Sequence, residues 1–266
     1  MFKTRLISGI VLVILALIFI ITGSDLLLAG LLALSIVGMY ELYRIFNIEK
    51  EPAGILGYIA CIVFYLDLRN NFLADQMIIA IVFLILLLAV FVFSYPKLHS
   101  HQLMAAFFGL FYVGVMLSFL YQTRQLPNGA FIVWLIFLCS WGCDTCAYCV
   151  GKLFGKHKMS PVLSPKKSVE GALGGVVGSM LLTALYLFVI SRFVTIDFDL
   201  ALPLVIFAGI GALISMVGDL AASAIKRNFE IKDYGTLIPG HGGVLDRFDS
   251  VIITAPIIFY LAYYFL

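Results

Sequence analysis

Charge is what this sequence has least of. Only 12% of its 266 residues are Asp, Glu, Lys or Arg, while 63% are hydrophobic and the mean hydropathy is +1.10. A soluble domain is about half apolar and about a quarter charged, so a water-soluble globule is excluded and an integral membrane protein is indicated. Strict apolar–polar alternation over stretches of about ten residues is missing as well, which excludes a transmembrane β-barrel. There is no repeat of fixed period and no low-complexity tract. The first apolar run, preceded by Lys3 and Arg5, is followed by Thr22-Gly23-Ser24-Asp25 and then directly by another run. That junction has no small-x-small cleavage pattern, so the run reads as a retained first helix. Cysteine is scarce too. Four of the five cysteines (Cys139, Cys143, Cys146 and Cys149, with Cys61 apart) fall in "CSWGCDTCAYC". Neighbours on one predicted helix have badly placed Cβ vectors for disulfides, and thiols in a span are expected to pack as small hydrophobes rather than to hold a structural zinc.

What is present is a series of nine apolar runs: Leu6–Thr22, Leu26–Tyr40, Ala53–Leu66, Met77–Tyr95, Leu103–Tyr121, Ala130–Val150, Gly171–Ile190, Ala201–Ala222 and Val251–Leu266. A spanning helix needs roughly 20 residues, with about 17 as a lower limit. The second, third and ninth runs are short by that measure and must borrow flanking residues or cross only partly. The expected fold is all-α, a polytopic membrane protein of about nine transmembrane helices. With the N-terminus inside, one set of loops carries 14 of the 17 basic residues and the other only Arg69, Arg124 and Arg192. The positive-inside rule places the rich set in the cytoplasm. Residues 1–128 read as a scaffold of helices with room for dimer contacts. Residues 129–266 carry the polar chemistry, with cytoplasmic loops at 151–170 and 223–250.

In the first half, Glu41, Glu49, Glu51, Asp67 and Asp75 fall in loops or at span ends, where a solvated face accounts for them. The second half holds acids inside spans, which are costly and mark function by default. Asp144 lies roughly 10 Å deep at 1.5 Å per residue. Asp219, Ser223 and Lys226 stand at i, i+4 and i+7, hence on one helical face, with Arg227 beside them. "KRNFEIKDYGTLIPGHGGVLDRFD" follows. Its Gly235, Gly240, Gly242 and Gly243 permit positive φ and an anion-binding nest of backbone amides. Asp246 and Asp249 open the last helix at i and i+3. Helix capping accounts for one of them; two carboxylates beside Lys and Arg suit a hard divalent cation that also touches phosphate oxygens. In the other loop, Ser164-Pro165-Lys166-Lys167-Ser168 sets two ammoniums and two hydroxyls beside a rigid turn, a grip for a polyphosphate or an anchor for anionic lipid. Gly171/Gly175 and Gly174/Gly178 make two overlapping GxxxG patterns, fit for close helix approach within one chain or in a homodimer. Acids for a metal, bases for phosphates and a glycine turn point to phosphoryl or nucleotidyl transfer on an amphiphile.

Ser223-Ala-Ile-Lys226-Arg227, Lys232-Asp233-Tyr-Gly235 and Leu237-Ile238-Pro239-Gly-His241-Gly242-Gly243-Val-Leu-Asp246-Arg247-Phe-Asp249 together resemble the signature of phosphatidate cytidylyltransferases. The stretch from Trp141 and Asp144 to Glu170-Gly171 resembles that family too. The resemblance covers roughly residues 141–250. It implies condensation of CTP with phosphatidic acid to CDP-diacylglycerol and pyrophosphate, in phospholipid biosynthesis at the cytoplasmic face of the inner membrane. It implies Mg2+, with a second cation allowed, and no nucleic acid among the partners. On this reading Asp219, Asp246 and Asp249 hold metal, and Asp219, Lys226, Asp246 and Asp249 are catalytic. Substrate contacts fall to Asp144, Lys166, Lys167, Ser223, Arg227, Lys232, Asp233, His241, Gly242, Gly243 and Arg247. Competing readings are a CTP-dependent lipid kinase, a transporter and a scaffold. The last leaves the polar cluster unexplained, and a transporter would spread its acids through the midplane.

Overall fold

The computed structural model describes residues 2–192 and 198–266, with side chains over 7–192 and 201–266. The side chains of Lys3 and Arg5, counted above toward orientation, lie outside that range. Among the described residues the chain forms α1 (Phe2–Thr22), α2 (Ser24–Ile45), α3 (Pro52–Asn70), α4 (Met77–Phe93), α5 (Ser100–Gln125), α6 (Gly129–Phe154), α7 (Val169–Ile190), α8 (Phe198–Asn228) and α9 (Leu245–Phe265). A two-stranded antiparallel hairpin, β1 (Lys158–Ser160) and β2 (Ser164–Ser168), joins α6 to α7. The chain is an α-helical, polytopic membrane protein.

Among the described residues seven helices are long and apolar enough to cross a membrane, while Ile7–Thr22 of α1 and Met77–Phe93 are shorter. Of the two courses expected for the short second, third and ninth runs, all three take the first and borrow flanking residues: α2, α3 and α9 run 22, 19 and 21 residues. Each extends through polar flanks that a hydropathy reading discards. Ser24-Asp25 and Glu41–Arg44 belong to α2, Pro52 sits at the first turn of α3, where its missing N–H costs nothing, and Asp246, Arg247 and Asp249 belong to α9. Helices α5 and α6 each contain a π-helical turn, at Leu110–Val115 and Leu138–Gly142.

The chain divides into two compact units, one of residues 1–121 with 233–247, the other of residues 122–232 with 248–266. Helices in lipid associate through close packing and interhelical hydrogen bonds rather than hydrophobic expulsion. In the first unit the Tyr43 hydroxyl donates to the Ala106 carbonyl at 2.7 Å, and a Cβ at Gly57 or Gly109 would lie 2.3 Å from that tyrosine. Ser35 and Tyr65 share a buried hydrogen bond of 2.8 Å between α2 and α3.

In the second unit α6 and α7 meet along the glycine face. A Cβ at Gly174 would lie 2.5 Å from Val150, at Gly178 2.5 Å from Cys146, and at Gly171 2.8 Å from the Ala147 carbonyl. Both GxxxG patterns are therefore used within the chain. Helix α8 closes on the same seam, with Ala212 and Met216 packed on Cys143. Cys61, Cys139 and Cys143 are buried thiols, Cys146 is half-buried and Cys149 exposed.

Candidate active site

In the second unit, Asp219 and Asp249 are brought together by a helix crossing. Gly218 of α8 packs so tightly on α9 that a Cβ there would lie 2.9 Å from the Asp249 carbonyl and 3.0 Å from Ile253. The acids flanking this contact are its immediate neighbours. Asp249 is 8% exposed, and its carboxylate feels the charges of Asp219, Lys226 and Asp144. Asp144 reaches this neighbourhood from α6, directly after the π-turn at Leu138–Gly142, a distortion common at functional sites. The predicted face of α8 is present: Ser223 lies 3.5 Å from Asp219 Oδ1.

The hairpin supplies the cation. Lys167 of β2 forms an ion pair with Asp219 Oδ2, both side chains about one-quarter exposed. Its neighbours are spent on architecture. The Ser168 hydroxyl accepts from Gly171 N at 3.1 Å and so caps α7. Glu170 accepts from Lys156 N at 3.0 Å and pairs with His157 at 2.6 Å, holding the base of the hairpin. Lys166 is exposed.

In the first unit lies the loop Asp233–Arg247. Gly240 and Gly242 have φ of 78° and 89°, as a left-handed turn requires, and Ile238 bridges to Gly242 across it. The expectation that this turn offers its amides to a phosphate is corrected. His241 N and Gly242 N donate to the Ile238 carbonyl, and Gly243 N and Tyr234 N both donate to Asp246 Oδ2, at 2.9 and 2.8 Å. Val244 N and Leu245 N donate to the two carboxylate oxygens of Glu41, at 3.0 and 2.9 Å. The amides of residues 241 to 245 are thus all engaged by the chain itself. Asp246 thus ties two amides of the loop to the first turn of α9.

Glu41 is the residue that sequence reasoning missed. Read as a solvated acid at a span end, it is 3% exposed, and Asp67, read the same way, is 1% exposed. Asp67 accepts from Leu73 N at 2.8 Å and closes the turn after α3. Two further contacts went unforeseen: Arg44 donates to the Tyr234 carbonyl at 2.7 Å, and Ser8 bonds His241 Nδ1 at 2.8 Å. Of the remaining expected site residues, Lys226 and Arg247 are half-buried, and Arg227, Lys232 and Asp233 are exposed. Asp219 and Asp249 belong to the second unit and Asp246 to the first. Among the described residues no group of three or more His, Cys, Asp or Glu side chains is placed to hold a metal ion.

Comparison with known proteins agrees with this polar inventory. The profile of the Cytidylyltransferase family matches residues 3–265. The phosphatidate cytidylyltransferase of Staphylococcus saprophyticus is 33% identical over 267 residues, covering 96% of this chain and 97% of the relative. That of Staphylococcus haemolyticus is 32% identical with the same coverage, and that of Bacillus subtilis is 30% identical over 97% of each chain. A match across both units, N-terminal helices included, is more than the signature loop alone would produce: the chain belongs to the cytidylyltransferase family.

Proposed function

We propose that this chain is a phosphatidate cytidylyltransferase, condensing CTP with phosphatidate to CDP-diacylglycerol and pyrophosphate in phospholipid biosynthesis. The observation that carries the reading is the gathering of Asp219, Asp249, Asp144, Ser223, Lys226 and Lys167 in one unit of a chain from this family. One oxygen of the lipid phosphate attacks the α-phosphorus of CTP. The new P–O bond forms as the bond to the bridging oxygen breaks, and pyrophosphate leaves with that electron pair. The lipid phosphate is largely dianionic near neutral pH, its second pKa being about 6, so no general base is required. The chain's task is alignment and charge neutralisation. Lys167 and Lys226 offset charge on the triphosphate, with Arg227, Lys232 and Arg247 as further cations near the bilayer surface. Ser223 donates a hydrogen bond, and Asp144 orients the substrates.

The residues fit Mg2+. Asp219 and Asp249 offer only hard oxygen donors beside a neighbouring carboxylate, and an ammonium already sits on Asp219. Mg2+ is commonly held by one or two carboxylates plus substrate phosphates rather than by a full protein cage, which agrees with a site of fewer than three protein acids. When bound, the ion neutralises the phosphates and polarises the phosphorus. The family's name says nothing of orientation; the excess of Lys and Arg in the loops that carry these residues supports a cytoplasmic active site in the inner membrane.

Purified protein given phosphatidate, Mg2+ and CTP labelled at the α- or γ-phosphate tests the reading. Label from the α-position should enter the lipid and γ-label should leave as pyrophosphate. Transfer of γ-label to lipid would instead make the chain a lipid kinase.

A further inference from the structure

We infer that Glu41 and Arg44, both on α2, are positioning residues for this reaction: together they pin the two ends of the signature loop. The inference rests on the function proposed above. Helix α9 is entered through Val244, a side chain that cannot cap it, and the amides of Val244 and Leu245 would otherwise lack partners. Glu41 supplies the cap from a helix 203 residues away in sequence, one carboxylate oxygen to each amide.

The loop is shaped around that carboxylate. A Cβ at Gly235 would lie 2.2 Å from Glu41 Oε1, and a Cβ at Gly243 2.4 Å from either oxygen. These two glycines, which a sequence reading gives to phosphate, are small because Glu41 is there. The other end of the loop is held at Tyr234. Its carbonyl accepts from Arg44, one turn along α2 from Glu41, and its N–H goes to Asp246. Asp246 also takes Gly243 N, so Glu41, Asp246 and Arg44 form one connected set of contacts at the two ends of the loop. A buried carboxylate is retained only where it is fully hydrogen-bonded, and here every bond it makes fixes the backbone that presents His241 and Arg247.

The experiment compares purified wild type with Glu41→Gln, Glu41→Ala and Arg44→Ala, reading kcat per folded molecule, KM for CTP and the thermal midpoint. Gln offers one acceptor where two amides need them, so kcat should fall about tenfold or more, a displacement near 1 Å being enough for a hundredfold. KM for CTP should change less, since Lys167 and Lys226 are untouched. Glu41→Ala should lose more and recover part of its kcat with added acetate, which leaves wild type unaffected. Arg44 is exposed, so Arg44→Ala should fold normally and still lose kcat several-fold; it decides the matter if the Glu41 variants do not fold. Unchanged kcat per folded molecule in Arg44→Ala and Glu41→Gln, or losses confined to thermal midpoint, would overturn the inference. A wild type that makes no liponucleotide would instead overturn the proposed function.

Discussion

Replacing Gly218 by Ala adds one carbon at the crossing that joins Asp219 to Asp249. That Cβ would meet the Asp249 carbonyl at 2.9 Å and Ile253 at 3.0 Å, whereas ordinary contact begins at 3.4 Å. The obstacle is main chain on one side, so α8 and α9 must separate by roughly 0.5–1 Å. Alanine improves helix propensity by about 1 kcal/mol, and overpacking costs about 1–3 kcal/mol. Stability should therefore change by no more than about 2 kcal/mol, a few degrees in thermal midpoint. Activity should suffer far more, since a misplacement of about 1 Å can cost a hundredfold. The assay is liponucleotide formation from CTP and phosphatidate in detergent, with thermal unfolding of the same sample. Gly209→Ala is the control: on the same helix, its Cβ would meet the flexible Met180 side chain at 3.1 Å, which can swing aside. A folded Gly218→Ala protein with wild-type kcat would refute the claim that these carboxylates act as a spaced pair.

Lys167→Ala removes the ammonium from Asp219 and should raise KM for CTP about tenfold, while the thermal midpoint moves little because pairs that keep contact with solvent contribute about 1 kcal/mol or less; an unchanged KM removes Lys167 from the triphosphate. Ser168→Ala deletes the cap of α7, costing about 1 kcal/mol, visible as a small fall in thermal midpoint with kcat per folded molecule retained. Asp219→Asn and Asp249→Asn should each abolish turnover and shift the Mg2+ requirement of any residual activity upward; chelation of wild type should stop liponucleotide formation, and added Mg2+ should restore it. Ser8→Ala removes the hydrogen bond to His241 Nδ1 and should lower kcat several-fold, with Ser8→Thr retaining it.

The helices were legible because lipid demands long apolar runs, although among the described residues only seven of the nine runs expected become helices long and apolar enough to cross a membrane. Their ends were not, because hydropathy stops at the first charge, whereas α2 carries Glu41 and Arg44 and α9 begins with Leu245-Asp246. The polar face Asp219–Ser223 was legible from helical spacing alone. Lys167 was singled out as a cation for phosphate, but its partner in the structure is Asp219, 52 residues further along, and no local pattern reveals that. The glycine loop was recognised as a place of close approach, and at Gly235 and Gly243 the group that approaches is Glu41. Glycine reports that something approaches, not what it is, and a single Glu on a distant helix resembles any other acid at a span end.

The π-turn in α6 inserts an extra residue, which advances everything downstream of Gly142 by about 100° around the helix axis. The half that precedes it, Gly129–Phe137, and the half that bears Asp144 therefore answer to different angular references. Deleting one residue between Leu138 and Gly142 would heal the helix, turn Cys146 and Val150 off the glycine seam of α7, and point Asp144 away from its neighbours. A straighter, sturdier rod would be a dead enzyme.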